Sequence, residues 1–374
     1  MKRWKKIMLI VLAFAAVLLI VLGALGVRAY IEMGHIPSEK EFAKYENIPY
    51  FKDGVFQASE PLVFHPDRVR GGEAGWMRFL TSYLFVNEHA PKSKMPLIPL
   101  DKSSFAASHN DLAAYWLGHS MVIIEIEGKR ILVDPVFDNA APIPFVVPRF
   151  TAAPIKRSEI PEVDYVLITH DHYDHLEYAT MRFLRDRDTR FIAPYGVDDH
   201  LRKWGIADEK ITTLGWGDTY SDANLTISAE RTLHFSGRTL GSRSQTLWVS
   251  YAIIGANRRV FVSGDSGYAE HYKAIGEKYN SFDLAFIEID GWNPGWENTH
   301  LFPQGVIAAY RDINASAFIP VHWGVFDLAI HPWKESITMI DELLEDDMKM
   351  VTPMMGEKFI YGETETRKWY MDIE

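Results

Sequence analysis

The chain has 374 residues, 47% of them apolar and 24% charged, with no cysteine and a formal net charge of −11. That length buries one large core or two modest ones, in an ordinary globular composition. The missing cysteine excludes disulfides, thiolate zinc sites and cysteine nucleophiles, and the acidic balance argues against a nucleic-acid surface, which needs basic patches to displace counterions.

In chain order, a basic tail over residues 1–6, Lys2-Arg3-Trp4-Lys5-Lys6, precedes an uncharged run from Ile7 to Val27. At ~1.5 Å per residue this run crosses a ~30 Å hydrocarbon core as one helix, a transmembrane anchor over 7–27. Basic residues before it predict a single-pass membrane protein whose N-terminus stays in the cytoplasm and whose remainder faces out. The alternative is a cleaved signal peptide and a secreted protein, with Val27-Arg28-Ala29 as the cleavage site. The run exceeds the usual ~7–15 apolar residues of a signal, which favours the anchor. Residues 28–110 read as a linker and N-terminal extension packing on the main domain, interrupted by seven prolines and by Gly71-Gly72. Trp76 to Val86 reads as an amphipathic helix with Trp76, Phe79, Leu80, Tyr83 and Leu84 on one face. Packing against the main domain is the plain reading of that face, and a lipid-contacting lid is the other.

From 111 to 374 strand-like runs alternate with helices. Asp111 to Trp116, Met121 to Glu127 and Arg130 to Pro135 read as strands, the last ending at Asp134. Pro142, Pro144, Pro148 and Pro154 mark a loop carrying Ile143, Phe145, Val146, Val147 and Phe150, either packed or a flap over the substrate. Val163 to Ile168 is a buried strand, and Glu177 to Arg187 a helix. Between them stand His170, Asp171, His172, Tyr173, Asp174 and His175, three imidazoles and two carboxylates on a strand-to-helix turn. His170 and His172, two apart, project to the same side of an extended segment, while Asp174 and His175 reach a second point nearby. Such donors suit zinc, and after it manganese or iron.

One cluster does not close a metal site, and three partners follow at the ends of apolar runs: His234 after Leu225 to Leu233, Asp265 after Val260 to Gly264, and His322 after Ala317 to Val321. Polar residues at strand ends are where open α/β architectures place ligands. Phe191 to Pro194 and Ile211 to Leu214 read as strands, with His200 on the helix between them at the surface. Arg238 is either a phosphate clamp, its planar fork suiting an oxyanion, or a surface arginine. Gln245 to Ile254, Arg258 to Ser263 and Phe282 to Ile289 are further strands. The last feeds a loop with Trp292, Trp296 and His300 at the mouth of the site, before a helix from Pro303. Ser336 to Leu344 reads as a helix and Phe359 to Tyr361 as a strand. His331 reads as structural, and His119 is within reach of the site but, as a lone histidine beside Gly and Ser, is as often structural and remains unassigned.

The order H-x-H-x-D-H, then His, Asp and His, resembles the metallo-β-lactamase fold superfamily. Trp116-Leu117-Gly118-His119-Ser120, Gly264-Asp265-Ser266-Gly267-Tyr268 and His322-Trp323-Gly324-Val325-Phe326 narrow the resemblance to the branch of N-acylphosphatidylethanolamine-hydrolysing phospholipase D and its bacterial relatives. It covers Tyr115 to Gly362. It implies an α+β fold, a pseudo-duplicated αββα sandwich over 111–374, although no duplication is legible in the sequence. It places Asp134 behind the ligand loop, steadying it, and His300 near bound substrate. The loop Asp290 to Trp296 departs from the branch's pattern, with Asp290 and Gly295 where a Gly and an Arg are usual, which puts headgroup specificity in doubt.

Seven ligands exceed the four of one tetrahedral zinc. They divide into His170, His172 and His234 for one divalent ion and Asp174, His175 and His322 for a second, with Asp265 bridging. The cofactors expected are two divalent metal ions, zinc first. Paired metals ~3.5–4 Å apart clamp the attacking and leaving oxygens and lower the pKa of a bound water. The chemistry expected is hydrolysis by a metal-bridging hydroxide, with Asp174 able to orient or take its proton. No phosphate loop or nucleotide fingerprint is present. Two metals suit a phosphodiester, and the aromatics Trp248, Trp292, Trp296, Trp323, Phe326 and Trp333, placed near the mouth, favour an amphiphilic substrate. The reading is a membrane-anchored, phospholipase-D-like phosphodiesterase acting on a phospholipid or similar amphiphile. A lactonase or β-lactamase is the enzymatic alternative, and a non-catalytic, membrane-tethered binding protein the alternative of another class. Oligomeric state is not legible.

Overall fold

The structure, a computed structural model, describes residues 2–69, 89–106, 108–239 and 241–374. The segment Trp76 to Val86, helix or lid, lies outside them. Helix α1 (Lys2–Glu32) carries the uncharged run, and its apolar side chains point away from the protein. It continues past Val27 to Glu32, so the residues expected to begin a linker finish the helix instead.

The chain then wraps the main domain. A two-residue-per-strand hairpin, β1 (Phe51–Lys52) and β2 (Val55–Phe56), buries Phe56 beside Tyr45. Phe64 bridges Trp296, and Leu97 bridges Met355.

Two sheets follow. The first takes β3 (Leu112–Trp116), β4 (Val122–Ile126), β5 (Lys129–Val133), β6 (Tyr165–Leu167), β7 (Arg190–Pro194) and β8 (Ile211–Leu214). The second takes β9 (Thr219–Ser221), β10 (Thr226–Glu230), β11 (Ser250–Ile254), β12 (Arg259–Val262), β13 (Leu284–Glu288) and β14 (Phe318–Val321), and β15 (Lys358–Ile360) returns to the first beside β3. Helices α2 (Tyr178–Leu184) and α3 (Val197–Lys203) follow strands of the first sheet; α4 (His271–Tyr279), α5 (Pro303–Asp312) and α6 (Glu335–Leu343) follow strands of the second.

The period-2 alternation of the strands explains the layering. Ile123, Leu132, Val166 and Phe191 pack with Met181, Leu184, Val197 and Leu201 of the helices, whereas Ile124, Ile131, Val133 and Leu167 pack with Ile227, Ile253 and Phe261 of the opposite sheet. Helices outside two facing sheets make an αββα sandwich.

The duplication that the sequence hides is plain in the pairing. β3-β4-β5 is antiparallel and continues in parallel through β6 and β7. β10-β11-β12 is likewise antiparallel and continues in parallel through β13 and β14. The strand expected over Gln245 to Ile254 begins only at Ser250. The residues before it cross to the other sheet, where the Val249 amide donates to the Thr169 carbonyl at 3.0 Å and the Leu247 amide to Tyr195 at 2.8 Å.

Candidate metal centre

Strand ends of both sheets converge on one place. His119 lies between β3 and β4, Asp134 follows β5, and the His170–His175 loop follows β6. From the second sheet come His234 after β10, Asp265 after β12, Glu288 at the end of β13 and His322 after β14. All are buried except His172 and Asp174, which are partly exposed. Three sit at positive φ, His119 (54°), Asp134 (42°) and His322 (68°), a backbone region that side chains other than glycine enter only when the surroundings hold them there.

The first group gathers His170, His172, His234 and Asp265, with donor atoms all within 4.8 Å of one another. His170 Nε2 lies 2.8 Å from His172 Nδ1, and His234 Nε2 lies 3.3 Å from the same atom. Ring nitrogens this close require a shared proton or a cation between them. The other nitrogens are committed: His234 Nδ1 to the Thr299 carbonyl at 2.8 Å, and His170 Nδ1 to Thr169 Oγ1 at 3.0 Å. Such partners fix the tautomer and turn the free nitrogen toward the metal position.

The second group gathers His119, Asp174, His175 and His322. Asp174 Oδ2 is 2.9 Å from His119 Nε2 and 3.5 Å from both His175 Nε2 and His322 Nε2. Asp265 lies between the groups: its oxygens are 3.2 Å from His175 Nε2, 3.1 Å from His322 Nε2 and 3.6 Å from His234 Nε2. His175 Nε2, His322 Nε2 and Asp265 Oδ1 are buried without a hydrogen-bond partner among the described residues. Buried polar atoms left this way, all aimed at one space, fit divalent cations.

The electrostatics separate the groups. Burial and neighbouring imidazoles hold His170 well below the usual imidazole range, burial holds His234 there too, and burial lowers His172. Burial pulls His175 and His322 the same way, but Asp265, Asp174 and their other carboxylate neighbours outweigh it and hold both well above that range. Burial alone would raise Asp174 and Asp265; the facing imidazoles hold both well below the carboxylate range. The imidazoles of the first group are thus shifted down and His175 and His322 shifted up, the difference following from the carboxylates that face the second pair.

Behind the ligands lies a support layer. Asp134 accepts from the Thr169 amide at 2.8 Å and from Thr169 Oγ1 at 2.7 Å, and its Oδ2 is 2.8 Å from His175 Nδ1. Asp171 points away from the metal position, accepting from the Gly237 amide at 2.7 Å and Thr246 Oγ1 at 2.9 Å, with His200 Nε2 at 3.2 Å. His200 is therefore buried, not at the surface: Asp171 occupies one nitrogen, and the His35 amide donates to the other at 2.8 Å.

Arg238 is neither phosphate clamp nor surface residue. Its guanidinium is buried and donates to the carbonyls of Asp171 at 2.6 Å, Leu176 at 3.0 Å and Glu32 at 2.7 Å, lying 3.9 Å over the Tyr173 ring. It ties the ligand loop to the end of α1. Of the six aromatics placed near the mouth, only Trp296 lines the pocket. Trp248, Trp323, Phe326 and Trp333 are core, and Trp292 is buried with Nε1 donating to Ser336 Oγ at 2.9 Å. Each is large enough to be worth more inside than at a rim.

The pocket over the centre has a volume of about 340 Å³. His172, Asp174, His234, Asp265 and His322 form its floor, while Phe64, Tyr173, Phe235, Trp296 and Leu328 form much of its wall. Phe64 comes from the N-terminal extension. His300 also lines it, with Nδ1 3.0 Å from Glu288 Oε2. Gly291 lets His300 lie there: at φ 84° it would place a Cβ 2.9 Å from the His300 ring. Glu288 was not foreseen, although it shows a signal, an acid inside the apolar run Phe282 to Ile289. His119, left unassigned from the sequence because a lone histidine beside Gly and Ser is as often structural, stands 2.9 Å from Asp174 Oδ2.

The family model for the beta-lactamase superfamily domain matches residues 129–323. An uncharacterized protein of Mycobacterium tuberculosis is 34% identical over 84% of this chain and 84% of its own length. The N-acyl-phosphatidylethanolamine-hydrolyzing phospholipase D 1 of Caenorhabditis elegans is 30% identical over 67% of this chain and 76% of its own. Among solved structures, a metallo hydrolase of the archaeon Ignicoccus hospitalis shares the fold with a TM-score of 0.52 at 18% identity, over 67% of this chain and 99% of that one.

Proposed function

The chain belongs to the β-lactamase superfamily, among the relatives of N-acyl-phosphatidylethanolamine-hydrolysing phospholipase D, and is a metal-dependent hydrolase; we propose that it is a membrane-anchored, dinuclear phosphodiesterase that cleaves a phospholipid or a similar amphiphile on the headgroup side. The observation that carries this is the placing of the metal floor under an apolar wall whose Tyr173 is held by Arg238, the same guanidinium that holds the end of α1. In this reading the apolar wall lies beside the membrane that α1 crosses, with the N-terminus in the cytoplasm and the hydrolase domain outside.

His170, His172 and His234 would hold one cation and Asp174, His175 and His322 the other, with Asp265 shared and His119 supporting Asp174. A pair of divalent cations held there, zinc by the ligand chemistry, would supply Lewis-acid charge and a water of lowered pKa. Asp174, partly exposed on the pocket floor, would orient the attacking water there. His300, with Nδ1 on Glu288, offers Nε2 to an oxygen of the substrate. Phe64, Phe235, Trp296 and Leu328 exclude bulk water and receive the first carbons of the acyl region. No side chain becomes covalently attached to the substrate.

The test is mass spectrometry of products after metal-analysed protein meets a phospholipid panel that includes N-acylated phosphatidylethanolamine, with Asp265→Asn as control. Headgroup-side cleavage that the variant lacks is the expected result. Unchanged lipids with both metals bound would overturn the reading and turn the search to lactones and soluble phosphodiesters.

A further inference from the structure

The place where α1 meets the domain carries a groove of about 420 Å³, distinct from the metal pocket and opening beside the last turns of the helix. Its lining includes Tyr30 on α1, Tyr178, Arg182 and Arg185 on and after α2, and Lys203 and Trp204 at the end of α3. Arg182 stands over the Tyr178 ring at 5.7 Å, and Lys203 over the Tyr30 ring at 5.0 Å. Neither cation has an acidic partner among the described residues, and both are exposed. On a chain of net charge −11, two cations without an acidic partner around one groove are a local reversal of sign; Arg185 beside them pairs with the exposed Asp186 at 3.1 Å, and Arg182 also donates to Tyr178 Oη at 3.1 Å.

Depth decides what the groove faces. The uncharged run ends at Val27, and Tyr30 lies three residues on, ~4.5 Å further along the axis. The headgroup layer extends roughly 5–7 Å beyond the hydrocarbon on each side. Tyr30 and the groove beside it therefore stand at the level of the headgroups, and Tyr178 and Trp204, whose rings are 5.5 Å apart, supply the amphipathic rings that favour that layer. The helix is not free to swing away, because Trp204 Nε1 donates to the Ile31 carbonyl at 2.9 Å.

We propose that this groove binds the headgroup of an anionic phospholipid of the surrounding bilayer, with Arg182 and Lys203 on the phosphate and Arg185 beside them, as a lipid site separate from the substrate pocket. It rests on the membrane-anchored reading above. The full chain, extracted in detergent, is titrated with phosphatidylglycerol and with phosphatidylcholine, and lipid adducts are counted by native mass spectrometry. Wild type should retain phosphatidylglycerol preferentially. The Arg182→Ala/Lys203→Ala variant should lose roughly tenfold or more of that preference, since each cation near an anionic surface contributes appreciably. Arg182→Lys/Lys203→Arg should keep it. Lys5→Ala/Lys6→Ala, at the other end of the helix, separates the contribution of the basic tail. An equal preference in wild type and the double alanine variant overturns the site. Release of the wild type from vesicles by alkaline carbonate would instead overturn the anchored reading, so the two failures are distinguishable.

Discussion

The two halves of the sandwich use one strand scheme and load the metal centre in opposite ways. The first half, β3 to β7, delivers His170, His172, Asp174 and His175 from a single loop. The second half, β10 to β14, delivers His234, Asp265 and His322 one at a time, from three strand ends. A contiguous set can be arranged by local supports, and here those supports are Asp134, Asp171 and Thr169. A dispersed set is positioned only by the register of the whole sheet, so its ligands are no more accurate than the fold. The comparison teaches that damage to the first half should stay local and be read in metal affinity, while damage to the second half should also be felt in overall packing and, through Glu288 and His300, in the pocket.

The strongest test is Asp265→Asn, which removes the carboxylate that lies between the two groups. Activity should fall roughly 10³-fold and elemental analysis should find less than the full metal complement. Retention of both metals with normal turnover would remove the bridging role. Next comes the support of the first half. Asp134→Ala leaves His175 Nδ1 and the Thr169 amide without their partner and should weaken metal binding about 10- to 100-fold, measured by competition with a chromogenic chelator. The corresponding change in the second half, His300→Gln, should lower kcat roughly 10- to 100-fold with metal content unchanged. If His300→Gln released metal as Asp134→Ala does, the division of labour between the halves would fail.

The smallest effect concerns His271, buried on α4 beside Ser266 at 3.1 Å. Burial, with a contribution from Arg231, lowers it from 6.5 to about 3. Between those values the unfolded chain binds a proton that the folded one refuses. Stability from this group is full above pH 6.5 and is lost as pH falls towards about 3. The difference in melting temperature between wild type and His271→Phe should therefore shrink on acidification, and a constant difference would contradict the shift.

What was legible follows the same division. The loop of the first half announces itself because its candidate ligands are neighbours in sequence, and the second-half candidates stand out because each ends an apolar run; the structure brings the seven together. His119 is a single residue at a turn, and nothing local distinguishes it from a structural histidine. His200 and Arg238 were misplaced for another reason: their partners, Asp171 and Glu32, lie 29 and 206 residues away, beyond any local pattern. The six aromatics show the limit of composition, which counts large rings without saying which side of a wall they occupy. The duplication was invisible because it resides in strand direction, which side chains do not record.

The grip on the last turn of α1 has a mechanical consequence. Ile31 and Glu32 offer two of the carbonyls at the helix end; Trp204 shares the first with the Gly34 amide, and Arg238 takes the second. The His35 amide is then held by His200, so the exit is clamped on both sides of the bend. A helix joined this way is a lever rather than a leash. Bilayers of different thickness change the tilt of a spanning helix, and a clamped domain must tilt with it. If α1 spans a bilayer as proposed above, the attitude of the pocket towards the surface would be set by acyl-chain length, and the thickness of the host membrane would control how a lipid approaches the candidate metal centre.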